Sequence, residues 1–280
     1  MSVIANNRFL QRTNPTMLAA IDDGGSVLDR VYIQNAARQI VDQGHWDNLK
    51  FWGCAGLAEI DTRSSVDYVP KLYDLSGNGA DVARSDDNRQ PKLDTKGIDF
   101  KDNGNNINII SPSDAINPNL HGASAITVIM WLYPQAFAAG TGRNAYYNGR
   151  CNGLGMYYFE ATDSGTLRVF ARSQSTDTSQ ELSSSSKATS TEWQMITLLI
   201  NYATPTITIY RNASSIGSAS VTFGSTTYVR TLDTTTDFIW GLVAAGRDPN
   251  ATMNDLRIYN TALSATEISD IYNQTKYLYE

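Results

Sequence analysis

NDLRIYNTALSATEISDIYN, residues 254–273, changes period part-way through. In its first seven residues Leu256 and Ile258 alternate with Arg257 and Tyr259, the spacing of a half-buried strand. Ser264 followed by Glu267 then forms a capping box, in which hydroxyl and carboxylate each satisfy a free N–H of the first helical turn. Leu263 and Ile268 flank that cap as a hydrophobic staple, and Ile268, Ile271 and Tyr272 share one helical face. Strand, turn and short helix are predicted in that order. A cap of this kind contributes about 1 kcal/mol, so its role is structural.

The rest of the chain is patterned mostly for strands. From about Tyr68 onward, short alternating runs are separated by turn residues: VPKLYDL, GIDF, NNINII, AITVIMWLY, LGMYYFE, TLRVFAR, WQMITLLIN, TITIYRN, SIGSASVTF, DFIWGLVAA and NDLRIYN. So many strands in succession predict two antiparallel sheets packed face to face, an all-β jelly-roll sandwich. SQSTDTSQELSSSSKATSTE, residues 173–192, is too polar to build a core and is expected to be an exposed loop. Upstream, Leu28, Val31, Tyr32, Ala36, Ile40 and Val41 fall near helical spacing, with Ser26 and Asp29 as a cap pair. Trp46, Leu49, Phe51 and Trp52 follow as an aromatic cluster that must pack on the sandwich or on a partner chain. The expected division is an N-terminal helical and aromatic anchoring segment, 1–66, and a β-sandwich, 67–280.

Composition narrows the function. The 280 residues carry a net charge of −6, which argues against a general nucleic-acid or membrane-surface binder. The opening MSVIANNRFLQRTNPTM shows no basic segment leading into an apolar run, and no apolar stretch is long enough to span a bilayer. Synthesis in a cytosol without a secretory signal, and no membrane insertion, are expected. Cys54 and Cys151 make no disulfide framework or metal motif, although one bridge between them remains open.

Three stretches resemble concanavalin A-like lectin/glucanase (laminin G-like) domains in order and spacing: ITVIMWLYP with Trp131, WQMITLLINYATPTITIYRNASSIGSAS with Trp193 and the Tyr210 to Asn212 turn, and MNDLRIYNTALSATEISDIYN. KLYDLSGNGADV resembles the strand and turn that open such domains. The leading segment, followed by LYDLSGNGADVARSDDNRQPKL, is similar to the front of tailed-phage virion proteins that carry this domain. The fold implied is the predicted sandwich; the function is left open, because this fold hosts lectins, hydrolases, lyases and structural modules.

Candidate chemistry is sparse. Laminarinase-type relatives carry paired acids as E-x-D-x-E on one strand; here the nearest pair is Glu160 with Asp163, where a strand meets a turn. His45 and His121 stand in polar loops without a nucleophile motif. DLSGNGADVARS places Asp74, Ser76, Asn78 and Gly79 like the start of a calcium loop, but position twelve is Ser85 instead of a bidentate acid. The competing reading is an Asx turn in which Gly77 and Gly79 supply positive φ. The resemblance implies calcium at rim loops, so Asp74, Asn78 and Asp255 are the candidate ligands, with Asn254 replacing an acid that relatives carry before the last strand. For a ligand, GRNAYYNGRCNG groups Tyr146, Tyr147, Asn148, Arg150 and Asn152, the aromatic and amide chemistry of sugar recognition; a strand with one tyrosine inside and one outside is the alternative.

These readings converge on a non-enzymatic phage virion protein, such as a capsid decoration, head fibre or tail appendage. It would be a homo-oligomer, anchored to other virion proteins through residues 1–66 and displaying a lectin-like sandwich for weak glycan or host-surface adhesion. A polysaccharide-degrading enzyme on the same fold and a purely structural virion component are the alternatives.

Overall fold

The computed structural model describes residue 22 and residues 25–27, 30–101, 108–110, 116–136, 143–149, 157–162, 164–174, 176–229, 238–241 and 249–280. Its strands, in chain order, begin with β1 (Ser26–Val27), β2 (Leu49–Gly53), β3 (Leu57–Arg63), β4 (Val66–Leu72), β5 (Val82–Ala83) and β6 (Lys92–Asp94). They continue with β7 (Gly97–Asp99), β8 (Asn108–Ile110), β9 (Ala125–Pro134), β10 (Arg143–Gly149), β11 (Tyr157–Thr162) and β12 (Thr166–Ala171). The last are β13 (Gln180–Lys187), β14 (Gln194–Asn201), β15 (Thr206–Arg211), β16 (Ser214–Ser220), β17 (Phe238–Gly241) and β18 (Ala251–Tyr259). Helices α1 (Arg30–Asp42) and α2 (Ala265–Thr275) complete the frame.

Antiparallel pairing sorts these strands into two sheets. The front sheet runs β2-β18-β9-β14-β15-β16. The back sheet runs β5-β8-β17-β10-β11-β12-β13. A ribbon of β3, β4, β6 and β7 joins them, with β7 returning to pair with β18. The expected jelly-roll sandwich is therefore the observed architecture.

Alternation along the strands builds two cores instead of one. On β9, Ile126, Val128, Met130 and Leu132 point between the sheets, whereas Ile129 and Trp131 point out of the front sheet. β14 follows the same rule, with Ile196, Leu198 and Ile200 inside and Met195 outside. The outer face is covered by Tyr32, Ile33, Ala36, Ala37 and Ile40 of α1 and by Ile268 and Ile271 of α2. This is why AITVIMWLY reads as a continuous apolar run: both faces of β9 are buried, and each such side chain contributes about 1.5–3 kcal/mol. Trp46, Leu49 and Trp52 join the outer core, and Phe51 joins the inner one. The aromatic cluster thus packs on the sandwich of its own chain.

Two local expectations are corrected. Ser26 does not cap α1: Ser26 and Val27 pair with Ala58 and Leu57, so the backbone is committed to a sheet and the helix starts at Arg30. The Ser/Thr-rich stretch is not a loop throughout, because Gln180–Lys187 forms β13. Leu182 and Ser184 face inward there while Glu181, Ser183 and Ser185 face out, an alternation that composition alone conceals.

The capping box is built as predicted. Ser264 Oγ accepts from Glu267 N at 3.3 Å, and Ser264 N donates to Glu267 Oε2 at 2.6 Å. The other carboxylate oxygen lies 2.6 Å from His45 Nε2, tying the connection after α1 to the first turn of α2. Burial pushes the Glu267 pKa up, but the Ser264 amide and hydroxyl and His45 outweigh it and hold the carboxyl below its ordinary value. A depressed folded-state pKa stabilises the fold above the unfolded value, and this contribution is lost as pH falls through the folded value. Melting temperature should therefore drop for the native chain below about pH 4, with a smaller drop in Glu267→Gln measured over the same range.

Candidate functional site

The opening stretch of sequence lies at a β-bulge. Pairing of β18 with β9 slips between Asn254 and Arg257, and Asp255 takes a φ of 52°. The bulge turns Asp255 and Arg257 toward each other, with Arg257 Nε to Asp255 Oδ1 at 2.9 Å and Nη2 to Oδ2 at 2.7 Å, both residues fully buried. Trp52 Nε1 donates to the same carboxylate at 2.8 Å, and the guanidinium carbon lies 5.3 Å from the centroid of its ring. Burial pulls the Arg257 pKa down, but the Asp255 charge, with Tyr32 and Tyr259, more than reverses this, and the guanidinium stays charged.

Asn254 shows why an amide stands there. Its Oδ1 accepts from Ala55 N at 2.9 Å and from Asp255 N at 2.8 Å, while its Nδ2 donates to Lys96 O at 3.0 Å. A carboxylate has no proton for the Lys96 carbonyl and would add a charge beside Asp255. Asn254→Asp is expected to destabilise by about 1–3 kcal/mol in denaturant unfolding.

The described sequence-based candidates fall in two places, around β2 and on β10. Asp74 is buried and accepts from Trp52 N, Ser76 N, Ser76 Oγ and Ala80 N at 2.7–3.1 Å. Burial raises its pKa even so. Asn78 Nδ2 donates to Leu49 O at 3.0 Å and to Ser76 Oγ at 2.8 Å, and Gly77 and Gly79 take φ of 84° and 70°, as an Asx turn requires. Asp74 and Asp255 both bond Trp52, one through its backbone and one through its indole, and their oxygens are filled by protein donors. Among the described residues no three His, Cys, Asp or Glu side chains gather as a metal site. Tyr146 is fully buried between the sheets on β10, the strand that carries Tyr147 and Asn148. Arg150 and Asn152 lie outside the described residues, as do Asp163 and Cys151. Cys54 is buried and free, its thiol pushed up to about 12 by burial and by Asp255.

The concave surface lies elsewhere. Trp131, Tyr133, Trp193, Tyr272 and Tyr279 line a groove of about 700 Å³ at the end of α2. Their rings form a continuous ladder: Tyr133 to Trp193 at 5.5 Å, Trp193 to Tyr279 at 4.8 Å, Tyr279 to Trp131 at 4.2 Å and Trp131 to Tyr272 at 5.9 Å between centroids. Trp131 and Tyr279 are buried and brace the ladder, whereas Tyr133, Trp193 and Tyr272 are partly open to solvent.

Each ring is placed by its element. Trp131 is on the outward side of β9, and its Nε1 donates to Thr275 Oγ1 at 3.1 Å on α2. Trp193 sits on a turn clamped by the buried Gln194, whose side-chain amide accepts from Thr189 N at 3.1 Å and donates to Thr189 O at 2.6 Å. The turn hydrogen-bonds to the end of β9 through Thr191 N and Pro134 O at 2.7 Å. Asn212 closes the opposite hairpin by accepting from Met195 N at 2.9 Å.

Sequence reasoning placed Trp131, Trp193, Asn212 and Tyr272 in elements without assembling them. The alternation on β9 points Trp131 and Tyr133 to one face, which was the available signal; the joining of that face to α2 is a tertiary fact. Glu160 is fully buried, 3.2 Å from Nη1 of Arg168, a side chain whose Nε and Nη2 bond Glu181.

A model of the concanavalin A-like lectin/glucanases superfamily matches residues 103–269, more than half of the chain. The chain belongs to that superfamily. No curated protein matches it. Among solved structures, this superfamily member is similar to the botulinum neurotoxin serotype D binding domain, with 16% identity, a TM-score of 0.58, and 82% of this chain covering 52% of that one. The binding domain of Paraclostridial Mosquitocidal Protein 1 gives 18% identity, a TM-score of 0.57 and coverage of 81% and 52%. Botulinum neurotoxin type C, whose cell entry is dependent upon interaction with two ganglioside molecules, gives 13%, 0.51, 83% and 52%. The likeness is one of fold, and the chain spans about half the length of these solved chains.

Proposed function

We propose that this chain is a non-enzymatic, lectin-like binding module whose aromatic groove takes a glycan. The carrying observation is the row of partly exposed rings on a concave, polar-rimmed surface. A pyranose presents C–H faces to aromatic rings and hydroxyls to the rim, and a groove of this volume falls within the range that encloses a small ligand. Glu160, buried against Arg168, is poorly placed to meet a scissile bond, which favours binding over hydrolysis. The neurotoxin type C structure, with its ganglioside interaction, supports adhesion as a role for this fold.

The finer reading is a phage virion component, in which residues 1–66 attach the chain to other virion proteins and copies of the sandwich face the host. The likeness of the leading segment to tailed-phage virion proteins supports it. Single-site affinity would be weak, and display in many copies would raise it by about 10²–10⁴-fold. The test is a glycan array probed with the chain clustered on beads. Trp193→Ala is expected to cost about tenfold or more in binding, the loss of a stacked aromatic anchor, with its melting temperature little changed. Sugar release from a polysaccharide by the native chain would instead favour an enzyme. Stoichiometric presence in purified particles, measured by mass spectrometry, checks the virion assignment, and absence from them removes it.

A further inference from the structure

Resting on that glycan reading, we infer that the groove discriminates by charge, taking neutral or amine-bearing oligosaccharides and rejecting anionic ones. Acids outnumber cations on its rim. Two cations line the groove, Lys96 and Lys276. Lys96 Nζ donates to the Glu280 main-chain oxygen at 2.8 Å, and Lys276 Nζ lies 5.4 Å from the centroid of the Tyr272 ring. Three acids line it as well, Asp94, Glu192 and Glu280. Asp94 is engaged by Thr95 N and Thr252 Oγ1. The carboxylates of Glu192 and Glu280 take no hydrogen bond or ion pair from another described residue. What the rim offers a ligand is thus acceptor capacity and negative potential beside aromatic faces.

Hydroxyl and ammonium groups donate to such carboxylates, and an ammonium also gains from the open face of a ring. A uronate or sialate meets a rim on which three acids face two cations, and like-charge juxtaposition at a partly desolvated rim is unfavourable. Lys96 and Lys276 keep their charges, since one is bonded to a main-chain oxygen and the other lies over a ring, but two cations do not cancel three acids. Three partly open rings, Tyr133, Trp193 and Tyr272, line the groove, so the platform extends beyond a single ring, which suits an oligosaccharide over a monosaccharide.

The test titrates the full chain with three oligomers of equal length: glucosamine, N-acetylglucosamine and a uronic acid. The first two are expected to bind, both weakened by Trp193→Ala, with the uronate about tenfold weaker or worse at low salt. The Glu192→Gln, Glu280→Gln double variant is expected to narrow that gap. A uronate that binds as well as the other two, still sensitive to Trp193→Ala, overturns the charge selection and leaves the groove reading standing. Binding of none of the three, or binding indifferent to Trp193→Ala, overturns the groove reading and this inference with it.

Discussion

Arg257→Met is expected to lower the unfolding free energy by about 3–5 kcal/mol, because it leaves the Asp255 carboxylate buried without its counter-charge. Asp255 would keep only the Trp52 indole and its own backbone geometry, and it sits at the bulge that sets the register of β18 against β9. Adding Asp255→Asn to the methionine variant should recover a large part of the loss, since the isolated charge is gone and asparagine accepts the positive φ. Urea unfolding of the two variants and the native chain measures both quantities. A single variant within 1 kcal/mol of the native chain would mean that water, and not Arg257, compensates Asp255.

The other large effect is at Trp131. Its ring lies between Tyr272 and Tyr279 and its N–H holds Thr275, so this one side chain fastens α2 and the turn after it to the front sheet. Trp131→Ala removes a fully packed aromatic and should cost about 3–5 kcal/mol. It should also remove ligand binding, because Tyr272 stacks on it directly and Trp193 leans on it through Tyr279. Trp193→Ala separates the two roles, as its ring is partly open and its loss is expected to show in binding more than in stability.

What could be read from the chain beforehand followed from local physics. The capping box and staple around Ser264 depend only on residues within one turn of each other, and both are formed. The alternation on β9 and β14 marked their strands because burial repeats every second residue. The start of α1 was misplaced because Ser26 is recruited by Ala58, a partner distant in sequence that no local rule foresees. β13 was missed because its inward positions are a single leucine and serines, which carry almost no hydropathy contrast. The groove was invisible for a related reason: Trp131, Trp193 and Tyr272 come from β9, the turn before β14, and α2, and only packing places their rings within 6 Å of one another or of the bracing Tyr279. Asn254, which the sequence marked as a weakened metal ligand, proves to be a junction whose oxygen accepts from two backbone amides and whose NH₂, the part only an amide supplies, donates to the Lys96 carbonyl.

The glycan claim is tested most directly by following the indole N–H resonances of the five tryptophans while an oligosaccharide of N-acetylglucosamine is titrated into the full chain. The Trp193 signal should move progressively, while Trp52, bonded to Asp255, and Trp240, buried between the sheets, stay fixed. Saturating sugar that leaves Trp193 unmoved while another surface responds, or that moves no resonance, would contradict the assignment of the aromatic groove as the binding site.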